Sequence, residues 1–155
     1  MLCRLMQLAV VAVSVCGIAV GFWIIPSWGK AIIGANPEFS AWYWPWLVFS
    51  WIVGLPCFAV LIFIWKVAVA IKQEAVFTLL TAKWIKTASI LIFVDVAVFF
   101  CGNVLFVCLN MSHPGILLAS MLADILAVSL GLLAAILSRY ITKAAALQEV
   151  SEGMI

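Results

Sequence analysis

Charged side chains are scarce in this chain: Asp, Glu, Lys and Arg together make up 9% of its 155 residues, against roughly 25% in an ordinary soluble domain. So few charges cannot clothe a water-facing surface of this size. A soluble globular domain is thereby excluded, and lipid is left as the main solvent. Histidine is sparser still. His113 is the only one, and it reads as a solvated turn residue with no catalytic neighbour. The five cysteines, Cys3, Cys16, Cys57, Cys101 and Cys108, include no C-x-x-C pair and no cluster at metal-ligand spacing. Most fall inside apolar runs, where cysteine behaves as a small hydrophobe. Cys16 follows Val15, whereas a lipoprotein acylation site wants Gly or Ala before the Cys. Nucleophile elbows, zinc-protease helices and phosphate loops are missing too. Nothing in the sequence points to an enzyme, a cofactor or a metal centre.

What is present is apolar sequence in long runs. Hydrophobic residues make up 68% of the chain and the mean hydropathy is +1.33. A membrane-crossing helix needs about 20 mostly apolar residues, and four such runs fit, at about 5–25, 44–71, 87–111 and 116–137. The expected fold is all-α, a membrane-embedded bundle of four transmembrane helices forming one domain over 1–155. Arg4 ahead of the first run resembles a signal-peptide start. The run is too long for that role, and no small-residue cleavage site follows closely, so it reads as a retained helix that Pro26 ends.

The connections carry turn chemistry. Residues 26–43 hold Pro26, Gly29, Gly34, Asn36 and Pro37 and predict a loop. Trp23, Trp28, Trp42, Tyr43, Trp44 and Trp46 around it suit an aromatic belt at the headgroup level. Gly54 and Pro56 near the centre of the second run predict a kink. Residues 72–86 predict an interfacial connector, with Phe77, Leu80 and Trp84 on one apolar face and Thr78 as N-cap of the helix that continues into the third span. Ser112-His113-Pro114-Gly115 is a tight turn. Residues 138–155 read as a short polar tail.

Two small-residue patterns predict close helix contact. Gly17 and Gly21 form one, suited to packing inside the monomer. Ala119, Ala123, Ala127, Gly131 and Ala135, recurring every four residues, form the other. Orientation follows from the cations. Arg4, Lys66, Lys72, Lys83, Lys86, Arg139 and Lys143 fall on one side and only Lys30 on the other. The positive-inside rule then puts both termini and the 72–86 connector in the cytoplasm of a cell-membrane protein. Basic residues so placed meet lipid headgroups, and direct nucleic-acid binding is not expected.

The candidate chemistry lies in two intramembrane acids. Asp95 and Asp124 sit well inside the third and fourth runs, where a charged side chain costs roughly 2.5–3.5 kcal/mol on insertion scales. Counting residues from the span ends puts Asn103 at the depth of Asp124, which predicts an Asn103–Asp124 hydrogen bond. Lys66 is expected to reach down toward Asp95. The four residues fit interhelical glue, an ion or proton relay, a cationic-ligand site, or contact with a partner helix.

The connector Glu74-Ala75-Val76-Phe77-Thr78-Leu79-Leu80-Thr81-Ala82-Lys83-Trp84-Ile85-Lys86 resembles the central motif of the DUF2975 family of small bacterial four-helix membrane proteins. The ending Leu147-Gln148-Glu149-Val150-Ser151-Glu152-Gly153-Met154-Ile155 is similar to the family's acidic, apolar-tipped end. Ala75 stands where the family often has Gly, and Val150 where it often has a second Glu. The resemblance implies the four-span fold and no catalytic residues. Family members are often paired with a small helix-turn-helix regulator, which implies a membrane protein that tethers such a partner. Phe77, Trp84, Glu149, Glu152, Met154 and Ile155 are the docking candidates. A small ion-coupled transporter using Asp95 and Asp124 is the first alternative. An accessory subunit joined to a membrane complex through the small-residue band of the fourth span is the second.

Overall fold

The computed structural model describes residues 2–73, 76–112 and 114–152. The described residues are mostly helical: α1 (Leu2–Ala19), a π-helical turn (Val20–Ile24), α2 (Ile25–Ala35), a 3-10 helix (Pro37–Trp42), α3 (Tyr43–Lys72), α4 (Leu79–Cys108) and α5 (Pro114–Glu152). Four stretches are long and apolar enough to cross a membrane: Arg4–Ala35, Pro37–Lys72, Leu79–Cys108 and Gly115–Gln148. Their number and order are those expected from the sequence.

The first span does not stop at Pro26, and residues 26–43 are not an open loop. Across the π-helical turn each donor reaches back five residues, so the Ile25 N–H bonds the Val20 carbonyl. The next donor in that register belongs to Pro26, which has none, and its acceptor would be the Gly21 carbonyl. The Trp51 indole N–H of α3 takes that place, at 3.0 Å from Gly21 O. Pro26 then lies in the first turn of α2, where a helix loses nothing by lacking an N–H. Tyr43 donates its hydroxyl to the Pro26 carbonyl at 3.3 Å. The real break in the chain is Asn36, with φ −138° and ψ 82°.

The other helix ends follow local chemistry. The Thr78 hydroxyl caps α4 by accepting the Thr81 N–H at 3.2 Å, as the sequence predicts. α4 ends at Cys108, three residues before the expected Met111. There Asn110 takes a left-handed φ of 54°. Met111 N–H bonds Phe106 O at 2.8 Å and Asn110 N–H bonds Val107 O at 3.0 Å, which is the Schellman arrangement.

The expected polar tail is instead the last part of α5, which is helical through Glu152. Residues 138–152 contain neither Gly nor Pro, and Ile141 is buried against Ala82 and Ile85 of α4. That burial holds the segment in helix.

Close packing runs between neighbours in the chain: α1 on α3, α3 on α4, and α4 on α5. Among the described residues, α5 makes no close backbone contact with α1 or α3. Gly17 faces the Phe58 ring, 3.4 Å from where a Cβ would stand, whereas Gly21 has open space beside it. Only the first glycine of that pair is therefore a packing contact. Gly102 of α4 lies under Phe49 of α3, whose ring also stacks on Phe99 and meets Phe106 edge-on, with centroids 6.3 and 5.3 Å away.

A Cβ at Gly102 would overlap the Phe49 ring. Gly102→Ala is expected to destabilise the α3–α4 pair by about 1–3 kcal/mol, the usual effect of overpacking. Gly54→Ala, with nothing within 4 Å of the new methyl, is expected to leave stability unchanged or raise it. Thermal unfolding of the two variants in mild detergent, followed by helical circular dichroism, checks the contrast.

Candidate functional site

The α4–α5 seam holds most of the buried polar groups. On α5, Ser120, Asp124, Gly131, Ser138, Ile141 and Ala145 are buried, with Ala127 and Ala134 half-buried between them. Their spacing alternates four and three, the period that keeps one helix face against an antiparallel partner. A row of buried and half-buried residues on α4 keeps the same period: Ile85, Ser89, Ile92, Val96, Phe99 and Asn103, although the Phe99 ring turns to Phe49 of α3. The predicted every-four band is thus only partly in the contact. A step of four overshoots a turn by about 40°, so Ala119 and Ala123 end up exposed while Gly131 stays buried.

Two hydrogen bonds fix the register. Ser89 donates to the Gly131 carbonyl at 2.8 Å, and Ser138 donates to the Ala82 carbonyl at 2.8 Å. Moving seven residues along α4, from Ala82 to Ser89, moves seven back along α5, from Ser138 to Gly131. Both donors reach a carbonyl on the opposite helix because a Gly or an Ala leaves it uncovered.

Another seven residues bring Val96 opposite Asp124, and seven more bring Asn103 opposite Leu117. The predicted Asn103–Asp124 bond does not form, because the two lie a heptad apart, about 10 Å along the helix axis. Asn103 gives its amide to the Phe99 carbonyl of its own helix, at 2.8 Å. Asp124 is 8% exposed, and its buried Oδ2 has no hydrogen-bond partner. It lies about 15 Å along α5 from Pro114, near the middle of a hydrocarbon core about 30 Å thick. Beside it is a cavity of about 270 Å³ lined by Phe100, Met121, Ile125, Val128 and Ser129.

Asp95 faces the other way, toward α3, where the Cys57 thiol donates to its Oδ2 at 3.5 Å. The expected reach of Lys66 toward Asp95 is not seen. Lys66 is nine residues from Cys57, about 13 Å further along α3, beyond the length of its side chain. Its ammonium sits over the Phe63 and Trp84 rings, 5.5 and 5.7 Å from their centroids. This is the outward snorkelling expected of lysine near a helix end. The four predicted residues therefore do not form one constellation. Ser89, Ser138, Cys57 and Trp51, which the sequence reading passed over, make the contacts between helices. The four-and-three spacing of Ser120, Asp124, Ala127, Gly131, Ala134, Ser138, Ile141 and Ala145 along α5 was the available signal for Ser138.

The docking candidates are similarly dispersed. Phe77 precedes α4 and is exposed, so it does not share a helical face with Leu80 and Trp84. Trp84 is half-buried under Lys66. Glu149 and Glu152 belong to α5 by their backbone, while their side chains, together with Met154, Ile155 and His113, lie outside the described residues. At the other end of the molecule the aromatic group divides. Trp23, Trp28 and Trp44 are exposed, as a belt requires. Phe39, Trp42, Tyr43 and Trp46 line a cavity of about 450 Å³ beside Gly29 and Asn110.

Compared with known proteins, residues 29–152 match a family described as "Protein of unknown function (DUF2975)". No curated protein and no solved structure matches the chain.

The seam predicts two opposite outcomes. Ser89→Ala or Ser138→Ala removes a buried interhelical bond, and each is expected to cost about 0.6 kcal/mol, the average inside membranes, and at most about 1.7 kcal/mol. Asp124→Asn removes a charge that has no partner on its inner oxygen and is expected to leave stability equal or higher. Unfolding of the three variants in mixed micelles with increasing denaturant reads both.

Proposed function

The chain belongs to the DUF2975 family, and from that premise we propose that it is a regulatory protein of the bacterial cytoplasmic membrane. In this reading both termini are cytoplasmic, and the protein holds a helix-turn-helix partner through the projecting end of α5. The antiparallel helices gather Arg4, Lys66, Lys72, Lys83, Lys86, Arg139 and Lys143 at one end, leaving Lys30 at the other. That asymmetry supports the cytoplasmic assignment of the basic end.

The observation that carries the proposal is the length of α5. Carried on, the seam register brings Ile141 level with Leu79, the first residue of α4. Ala145 is still buried, and residues 146–152 then carry the helix about 10 Å beyond it. On that extension Leu147 is 71% exposed and Val150 is 60% exposed. Two large, exposed apolar side chains three apart near the end of the helix form a surface fit for another protein. Glu149 and Glu152 in the same segment supply negative charge. A helix end both apolar and acidic complements the basic, DNA-reading face of a regulator.

A second reading rests on Asp124. A buried carboxylate with an unpartnered oxygen near the middle of a span suits an ion- or proton-coupled transporter, with Asp95 next to Val96 at the same level but facing α3.

For the first reading, an affinity pull-down from native membranes compares the full chain with one ending at Ala146 and with Leu147→Glu/Val150→Glu. A DNA-binding protein is expected with the full chain alone. Identical protein sets from all three would exclude the α5 end as the docking surface. For the second, proteoliposomes are expected to show pH-driven flux that Asp124→Asn abolishes, and flux unchanged by Asp124→Asn would remove that residue from any transport path.

A further inference from the structure

We propose that the groove between α4 and α5 at the basic end binds the phosphate of an anionic phospholipid. The groove encloses about 840 Å³ and is flanked by Lys86 of α4 and by Arg139 and Lys143 of α5. Two stripes of side chains run down its walls. On α4, Lys86, Ile90 and Phe93 recur at i, i+4 and i+7. On α5, Lys143, Arg139 and Ile136 recur at the same helical spacing in the reverse direction, as antiparallel helices require. All six line the groove. Each stripe therefore passes from cation to apolar side chain over about 10 Å, and both pass in the same direction. A phospholipid has that polarity, with a phosphate at the surface and acyl chains below it.

The depth agrees. Lys86 lies 22 residues from Cys108, or about 33 Å along α4, close to the thickness of a hydrocarbon core. Lys86 thus stands at the level of lipid phosphates. By the seam register Arg139 and Lys143 start about 8 and 14 Å further toward the water, and helical side chains lean toward their own N-terminus, which for α5 is back toward the phosphate level. Among the described residues no carboxylate pairs with the three cations. The nearest acid along α4 is Asp95, nine residues deeper, and the nearest beyond Lys143 along α5 is Glu149, six residues outward. Three exposed cations around one groove favour an anionic over a zwitterionic headgroup. Each cation near the surface is expected to be worth about five-fold in affinity. The site does not depend on the docking role of α5, since it uses neither Leu147 nor Val150.

The test is native mass spectrometry of the delipidated full chain, offered phosphatidylglycerol and phosphatidylcholine of equal chain length at equal concentration. Wild type is expected to retain phosphatidylglycerol preferentially. Lys86→Gln, Arg139→Gln and Lys143→Gln are each expected to lower that retention about five-fold, and the triple variant to bind both lipids alike. Lys30→Gln, at the opposite end, is expected to behave as wild type. Because the three side chains are solvent-exposed and unpaired, the single variants remain informative if the triple variant folds poorly, and Arg139→Lys is expected to keep the preference.

Three results would overturn the proposal: no preference in wild type, a preference that survives in the triple variant, or an equal loss in Lys30→Gln. Displacement of the lipid by millimolar inorganic phosphate would also overturn it, because the groove would then be a site for free phosphate.

Discussion

Inside hydrocarbon a carbonyl or hydroxyl that lacks a partner has no water to turn to, and each such group costs several kcal/mol. The hydrogen bonding of this protein follows from that constraint. Ser14, Ser50, Thr87, Ser129 and Thr142 each turn the hydroxyl back to the carbonyl four residues earlier. Asn103 does the same with its amide. Where Pro26 would leave a carbonyl open, an indole from α3 fills the place. Asp124 Oδ2 departs from the pattern, being buried without a hydrogen-bond partner.

The constraint also accounts for the unequal contacts between helices. Lipid chains are as apolar as leucine, so burying leucine between helices gains little. Serine, glycine and alanine gain more, because they let backbones approach and hydroxyls cross the gap. The α4–α5 seam is built that way and carries both interhelical serine bonds. The α3–α4 contact relies instead on aromatic rings, with Phe49 filling the space that Gly102 leaves. The large apolar side chains that dominate the composition, Leu118, Leu122, Ile125, Leu126 and Leu133 among them, mostly face outward. This is the reverse of a soluble core.

Much of this was legible in the sequence. Apolar run length gave the four spans, because lipid thickness sets a minimum that chance rarely meets. The Thr78 cap was legible because capping is local. What could not be read depended on partners distant in the chain. Pro26 looked like a stop, and it becomes one turn of a continuing helix only because Trp51, 25 residues further on, reaches back to Gly21. The polar character of residues 138–152 suggested an open tail, but Ile141 and Ala145 have α4 to pack against. Depth counted from span ends put Asn103 beside Asp124, an error of one heptad, because the register is set by Ser89 and Ser138 rather than by the ends. The every-four band was a misjudged period: the true contact alternates four and three.

The unequal lengths of α4 and α5 have a mechanical side. α5 is packed as far as Ala145 and its backbone runs on as helix through Glu152, so its last seven residues form a rigid arm about 10 Å long. Membrane helices adjust their tilt to bilayer thickness. A tilt change of roughly 10° in the clasped pair would swing the tip of the arm by about 2 Å, with no change in any contact within the seam. Lipid thickness around the helices would thus be converted into displacement on the aqueous side, with α5 as the lever.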